Sequence, residues 1–488
     1  MSNYPIQDRI KQHAQLIFYV IGVFQLISLS LALWFKEYWI AFLPVTGILA
    51  LIFTIRPTWL YFLFVAILPF SFEYEIGSFG LDLPSEPMLV GLAFLSTLWL
   101  IKNFDEQSKK IFSNPIVVSL LLHMIWIYFC ILFSTNLLVS VKYSLSKSWY
   151  IMGNLLGTYW IIKNSGRLQV ILSVLVFSTA ATVFIVMVEH GMYGFTFESI
   201  GAACNPLYRN HVNYGVFMVM VLPFAFILRL RTERQTIYRL IIDLVIILFL
   251  LGIYFSYTRG AWLALPVMLV VIISVQRKLL RFLFPLGVLA GILFFVYLSK
   301  DYKYLKYAPQ YENTIYHEDL GDHLSATFEG KDMSTMERFH RWIAAFRLYK
   351  EHPIVGIGPN TFVEKYKSYT SPNFETYISE NEERSTVHNY FILILTEQGT
   401  VGFIILLLLV GSYFIYGERK YHTIQDPYLQ KIYLACLLCG ASFWLNNLFS
   451  DLLEANKVAP LWFFTIAWMM RIEQWDNKKP PTLLRIDG

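Results

Sequence analysis

LIIDLVIILFLLGIYFSYTRGAWLALPVMLVVIIS, the 35 residues from Leu240 to Ser274, decides the fold. Apart from Asp243 and the step Tyr257-Thr258-Arg259-Gly260, the run is almost continuously apolar. As one helix it would measure about 52 Å at 1.5 Å per residue. A bilayer's hydrocarbon core is only about 30 Å thick. The run is therefore two membrane spans, and residues 257–260 are the hinge between them.

The same pattern continues in both directions. Apolar runs recur from Leu16 to Met470, separated by short charged clusters. The chain of 488 residues is 56% hydrophobic and only 15% charged, against about 25% charged in soluble proteins. This excludes a disordered chain, a secreted disulfide scaffold and a water-soluble enzyme. It predicts an all-α polytopic membrane protein in contact with the lipid bilayer. The net charge of +5 is accordingly no sign of nucleic acid. Cys436 and Cys439 form a CxxC inside an apolar run, where helix packing is the expected role.

A spanning helix needs roughly 20 residues, with about 17 tolerated. The expected spans are 16–34, 39–55, 59–72, 87–101, 116–134, 148–162, 169–188, 214–228, 240–257, 261–274, 282–298, 400–416, 432–449 and 456–470, giving 12–14 helices. Residues 1–298 form an N-terminal bundle, 299–389 a large loop, and 390–488 the C-terminal helices and tail. Lys and Arg favour the cytoplasmic side of short loops. With the N-terminus inside, the inner segments hold 22 of them and the short outer loops hold 6. Both termini are then cytoplasmic, and the loop 299–389 faces outward. Within it, Phe339, Trp342, Ile343, Phe346 and Tyr349 recur at helical spacing, which predicts an amphipathic helix over 336–349. Lys300–Asp332 is acidic, tyrosine-rich and aperiodic.

Polar groups in or beside apolar spans carry the functional information. Asp243 lies near a span end and can reach water. Asn154, Asn446 and Asn447 read as interhelical hydrogen-bond partners, and His123 as a packed neutral histidine. Arg259 is harder to dismiss. Its hinge holds it at the outer boundary, where a guanidinium calls for an anion. Arg209, in Asn205-Pro-Leu-Tyr-Arg-Asn210, lies in another short outer loop. A guanidinium presents a planar fork of N–H groups that suits phosphate. Two such residues beside a bilayer suggest a lipid-linked phosphate or diphosphate. His388 stands at the membrane end of the large outer loop. No pair of histidines shows metal spacing, so neither a metal nor another cofactor is expected.

Three segments together resemble the O-antigen ligase and polymerase superfamily of bacterial membrane glycosyltransferases. Ser256-Tyr-Thr-Arg-Gly-Ala-Trp-Leu-Ala-Leu265 is similar to the family's S-x-S-R-G-x-x-L-A-L stretch. Arg338-Phe-His-Arg-Trp342, followed by His352-Pro-Ile-Val-Gly-Ile-Gly-Pro-Asn-Thr-Phe362, resembles its R-x-x-x-W and h-P-l-x-G-x-G-x-g-x-F signatures. His388-Asn389 with Glu397, Gly399 and Gly402 resembles H-N-x-x-L-x-x-x-x-E-x-G-x-x-G. The serine before the arginine is Thr258 here, and the leucine after the HN pair is replaced around Phe391 and Ile392.

The resemblance implies a GT-C-like membrane fold. It also implies transfer of a glycan from undecaprenyl diphosphate to an acceptor hydroxyl on the periplasmic face of the bacterial inner membrane, without a metal ion. His388 becomes the general base, Arg259 and Arg209 the diphosphate ligands, and Arg338, Asn389 and Glu397 supporting residues. The acceptor would be lipid A core for a ligase or a growing glycan for a polymerase. A protein hydroxyl is a third option. Outside enzyme chemistry, the alternative is a flippase or transporter for the lipid-linked glycan. Transporters tend to show repeats and broken helices at the bilayer midplane, whereas the unexplained charges here gather at the outer face.

Overall fold

A computed structural model of the chain describes residues 27–28, 30–31, 56–76, 79–233, 235–300, 333–371 and 386–476. The chain divides into two units, Met1–Tyr61 and Phe62–Gly488. The expected spans 16–34 (apart from residues 27–28 and 30–31, which are helical) and 39–55 lie outside the described residues, as do residues 301–332 of the acidic stretch. The other twelve expected spans each fall on a helix. Among the described residues, eight helices are long and apolar enough to cross a membrane. The architecture is that of an all-α polytopic membrane protein.

The helices are α1 Pro57–Ile67, α2 Ser85–Lys102, α3 Phe104–Phe112, α4 Pro115–Cys130, α5 Leu137–Ile151, α6 Ser165–Met192, α7 Phe197–Cys204, α8 His211–Arg231, α9 Ile237–Phe255, α10 Arg259–Gln276 and α11 Leu280–Ser299. After them come α12 Met333–Glu351, α13 Tyr390–Gly411, α14 Pro427–Asn446 and α15 Val458–Asp476. α15 is buried on every side, from Val458 to Met470. A helix apolar all round belongs in the centre of a bundle, and α8 is almost as fully enclosed. Lipid tails are as apolar as the side chains they would replace, so close packing rather than hydrophobic burial joins such helices. Gly260 shows how close the packing is: a Cβ there would stand 2.2 Å from Asn446 Oδ1 of α14.

Two features depart from the apolar pattern. The expected span 59–72 ends early, and an antiparallel hairpin pairs β1 Phe72–Ile76 with β2 Phe79–Leu83. The alternation Phe72-Glu-Tyr-Glu-Ile76 ahead of Gly77 and Gly80 carries this signal, but it merges into the apolar run before it. The expected span 148–162 in turn starts a full three turns earlier. Asn136 caps α5 by accepting from the Val139 amide. Buried Ser140, Ser144 and Lys147 line its first part, so this half is too polar to read as membrane.

The helix expected at 336–349 is α12. It packs on the bundle: Ala344, Ala345 and Leu348 are buried, and the Tyr349 hydroxyl pairs with Thr400 of α13 at 2.8 Å. The chain after α12 docks into α13 at a break. Gly399 has φ +68 and ψ −171, outside the helical region, and a Cβ there would overlap the Ile354 carbonyl at 2.1 Å. Such a φ is open to glycine at little cost. The break is filled by the Gly356 turn, whose own Cβ would meet the Glu397 backbone at 2.3 Å.

Candidate active site

His388 lies in the short connection that leads into α13, held from two sides. Asn389 is the N-cap: its Oδ1 accepts from the Ile392 amide at 3.1 Å, and its Nδ2 donates to the Leu448 carbonyl at 2.9 Å. The Tyr390 amide donates to the Asn447 carbonyl at 2.9 Å. From α12, Arg341 Nη1 donates to the Thr386 carbonyl at 3.2 Å and Trp342 Nε1 to the Val387 carbonyl at 3.1 Å. Between these anchors His388 adopts φ +55. A non-glycine residue in this region carries strain of order 1–3 kcal/mol, held in place by its surroundings.

The imidazole faces Asp451, with Nδ1 3.9 Å from Oδ1. Asp451 is fixed in turn by the Thr386 hydroxyl, which donates to its Oδ2. Burial pushes the Asp451 carboxyl above its usual range, while the Thr386 bond and the charge of Arg209 act in the opposite direction. His388 is pushed well below its ordinary value, first by burial and then by the cationic Arg341 and Arg338. A neutral imidazole is the form that can accept a proton.

Arg209 lies on the exposed turn between α7 and α8, its Nε 3.8 Å from Glu73 Oε2 of the hairpin. The turn that introduces Arg259 packs against the start of α8. The Thr258 hydroxyl donates to the His211 carbonyl at 2.8 Å, and a Cβ on Gly215 would meet Ser256 Oγ at 2.7 Å. Thr258 makes no side-chain cap on α10. Arg259 stands in the first turn of α10, and the N-terminal end of a helix favours anions. The Thr258 bond to His211 brings the Arg259 turn against the residues that follow Arg209, whose own side chain faces Glu73.

Glu397 and Asn389 have structural tasks. Glu397 is buried in α13 and accepts from the Asn360 amide at 2.7 Å and the Phe362 amide at 3.0 Å, which ties the loop after α12 to the helix. Arg338 contributes charge to the His388 environment.

Asp451, Arg341 and Lys457 do not stand out in the sequence. An acid in the short connection 450–455 between two apolar runs is the signal the sequence offers for Asp451. Arg341 looks like one of several arginines on an amphipathic helix. His123 is a packed histidine, its Nε2 donating to Gln398 Oε1 at 3.0 Å. Asp243 is paired rather than merely solvated, receiving Arg229 Nε and lying 3.7 Å from Arg239 Nε. Asn154 and Asn446 donate to carbonyls of their own helices, Tyr150 and Ser442, instead of bridging helices. Asn447 also donates within its helix, but its Oδ1 accepts from the Leu453 amide at 3.3 Å. Cys436 and Cys439 are buried free thiols.

Residues 244–407 match the Wzy_C family model, described as O-antigen ligase. This segment is an O-antigen ligase family domain. It runs from α9 through the Arg259 hinge and α12 into α13. Arg259, Arg338, His388, Asn389 and Glu397 lie inside the Wzy_C match, whereas Arg209, Asp451 and Lys457 lie outside it. Among curated proteins, none matches the chain.

Proposed function

We propose that this protein is an O-antigen ligase-type glycosyltransferase of the bacterial inner membrane. It moves a glycan from an undecaprenyl diphosphate carrier to an acceptor hydroxyl, with lipid A core as the acceptor. Both termini are cytoplasmic, and the end of the bundle that carries α12 faces the periplasm. The observation that supports this reading is His388 set against Asp451 at the entrance to α13, together with the Arg259 turn held against the start of α8, two residues beyond Arg209.

In the proposed reaction the acceptor hydroxyl attacks the anomeric carbon, and the bond from that carbon to the diphosphate oxygen breaks. His388 takes the hydroxyl proton through Nε2 while Asp451 holds the Nδ1 side of the ring. Arg259, the α10 N-terminus and Arg209 receive the negative charge that grows on the departing diphosphate. Preorganised donors aimed at developing charge are commonly the largest contribution an active site makes. The reaction as written needs no metal ion and no cofactor.

A growing glycan as acceptor would make the protein a polymerase, and a protein hydroxyl would make it a protein O-oligosaccharyltransferase. The chemistry at His388 and the arginines is the same in all three. A deletion strain separates them. Accumulation of free lipid-linked polymer is expected for the ligase. Single repeat units on the core would point to polymerisation, and loss of glycoprotein alone to protein glycosylation. A flippase would leave the lipid-linked glycan on the cytoplasmic side of the membrane.

A further inference from the structure

Lys457 is a buried lysine that none of the chemistry above uses. It stands at the end of the connection between α14 and α15, 8% exposed. Its Nζ donates to the Pro69 carbonyl at 3.1 Å and to the Leu207 carbonyl, and it lies 4.7 Å from the centre of the Tyr208 ring. Tyr208 is itself fully buried, its hydroxyl 2.9 Å from Thr182 Oγ1 of α6. A desolvated ammonium is costly unless each N–H finds an acceptor or an aromatic face. This one gives one bond to the Pro69 carbonyl and its other two interactions to Leu207 and Tyr208, the residues that lead into Arg209.

The connection that carries Lys457 also carries Asp451, the partner of His388. Its middle is fixed by α5: Lys147 Nζ donates to Glu454 Oε1 at 2.8 Å and to the Leu453 carbonyl at 3.0 Å, and Tyr143 donates to the same Glu454 oxygen at 2.8 Å. Residues 451–457 therefore form one braced segment. It touches the base at one end and the Arg209 turn at the other.

We propose that Lys457 is a positioning residue for the diphosphate site, holding the Leu207–Tyr208 backbone so that Arg209 is presented to the anion. This rests on the reading of Arg209 as a diphosphate ligand. Lys457 touches neither donor nor acceptor. Its loss leaves Arg209 charged but free to wander on an exposed turn, which weakens anion binding without removing the cation.

The test is a binding cycle on the full-length protein in lipid nanodiscs, with undecaprenyl diphosphate as the probe. Arg209→Ala is expected to weaken binding about tenfold, and Lys457→Met nearly as much. The double variant should be no weaker than Arg209→Ala alone, because residues that act through one another are not additive. With a transfer assay, Lys457→Met should lower kcat/KM for the donor when Arg209 is present and leave it unchanged in the Arg209→Ala background, a dependence that general destabilisation does not give. Multiplying losses in the double variant would overturn the proposal, as would normal binding by Lys457→Met beside a weakened Arg209→Ala. If Arg209→Ala itself binds normally, the diphosphate reading of Arg209 falls, and the role of Lys457 falls with it. Should Lys457→Met fail to insert, Lys457→Gln keeps an N–H donor on a shorter stem. A loss of threefold or more is expected for it with Arg209 present and none with Arg209→Ala. An equal loss in both backgrounds, or none in either, would sink the idea.

Discussion

His388 Nδ1 stands 3.9 Å from Asp451 Oδ1, across two chain segments that share no helix. The histidine comes from the entrance to α13, the aspartate from the connection beyond α14. The Thr386 hydroxyl, two residues before the histidine, donates to the other oxygen of the same carboxylate. The two segments are thus tied by a carboxylate that faces the imidazole and is itself held.

This relation predicts the behaviour of His388 variants. His388→Gln keeps hydrogen bonding but cannot take a proton, so it should lose 10²–10⁴ in transfer rate, the range for a positioned acid–base group. His388→Ala should be equally poor. Membrane insertion and undecaprenyl diphosphate binding should persist in both, since the arginines remain. Substitutions at His340 and His352 serve as controls with smaller losses. An active His388→Gln in a reconstituted transfer assay would reduce the residue to an orienting role.

The pH profile follows from the depressed His388 value. Burial, then Arg341 and Arg338, disfavour the imidazolium of His388, so with His388 as the proposed base the rate should hold well below the pH at which a free histidine protonates. Arg338→Gln removes one cation and should move the acid limb of the profile upward. The same shift has a stability consequence. The unfolded chain takes up a proton near pH 6.5, which the folded protein resists, so folding weakens as pH falls below that value and strengthens as it rises. An acid limb unmoved by Arg338→Gln would contradict this account.

Arg259 gives a test of chemistry against charge. Arg259→Lys keeps the cation but loses the bidentate fork. It should fail nearly as badly as Arg259→Ala when kcat/KM for the lipid-linked donor is measured. A fully active Arg259→Lys would make Arg259 a headgroup anchor. Treatment of the purified protein with EDTA should leave the wild-type rate unchanged.

Glu397→Gln separates structure from catalysis. Each carboxylate oxygen accepts one amide, from Asn360 and from Phe362, and an amide side chain must turn an N–H₂ toward one of them. A buried donor left unsatisfied costs about 1–3 kcal/mol. The unfolding midpoint in detergent should fall, while the rate per folded molecule stays within a few-fold. A collapse of rate at unchanged midpoint would place Glu397 in the reaction instead.

Orientation is checked by cysteines at two exposed positions, Lys367 and Lys278. In intact spheroplasts an impermeant thiol reagent should label the first and not the second. The native cysteines are all buried, which keeps the background low. Labelling at Lys278 would reverse the sidedness of the proposed site.

Much of this arrangement was legible in the residue pattern, and the gaps have physical reasons. Twelve expected spans fall on helices because twenty-residue apolarity is a local property of the chain. α5 and the first turns of α13 were cut short, since Lys147 and Glu397 look like solvent-facing charges until their buried partners are known. Arg209, Arg259 and His388 stood out because each is polar at an apolar boundary. Asp451 and Lys457 did not, because their importance lies in what they touch: residues 386–388 for one, and 69 and 207 for the other. One sequence carries no record of such contacts.

The break at Gly399 carries a consequence for anyone exchanging parts between this protein and others that carry a Wzy_C segment. The Ile354–Gly356 turn occupies the space where a continuous helix would run, and Glu397 grips the residues that follow it. The segment 333–371 is therefore not a part that can be exchanged by itself. A graft of that segment alone would leave either a gap in α13 or a clash with it. A workable exchange has to move the segment and the stretch from Thr396 to Thr400 together, as a plug with its own socket.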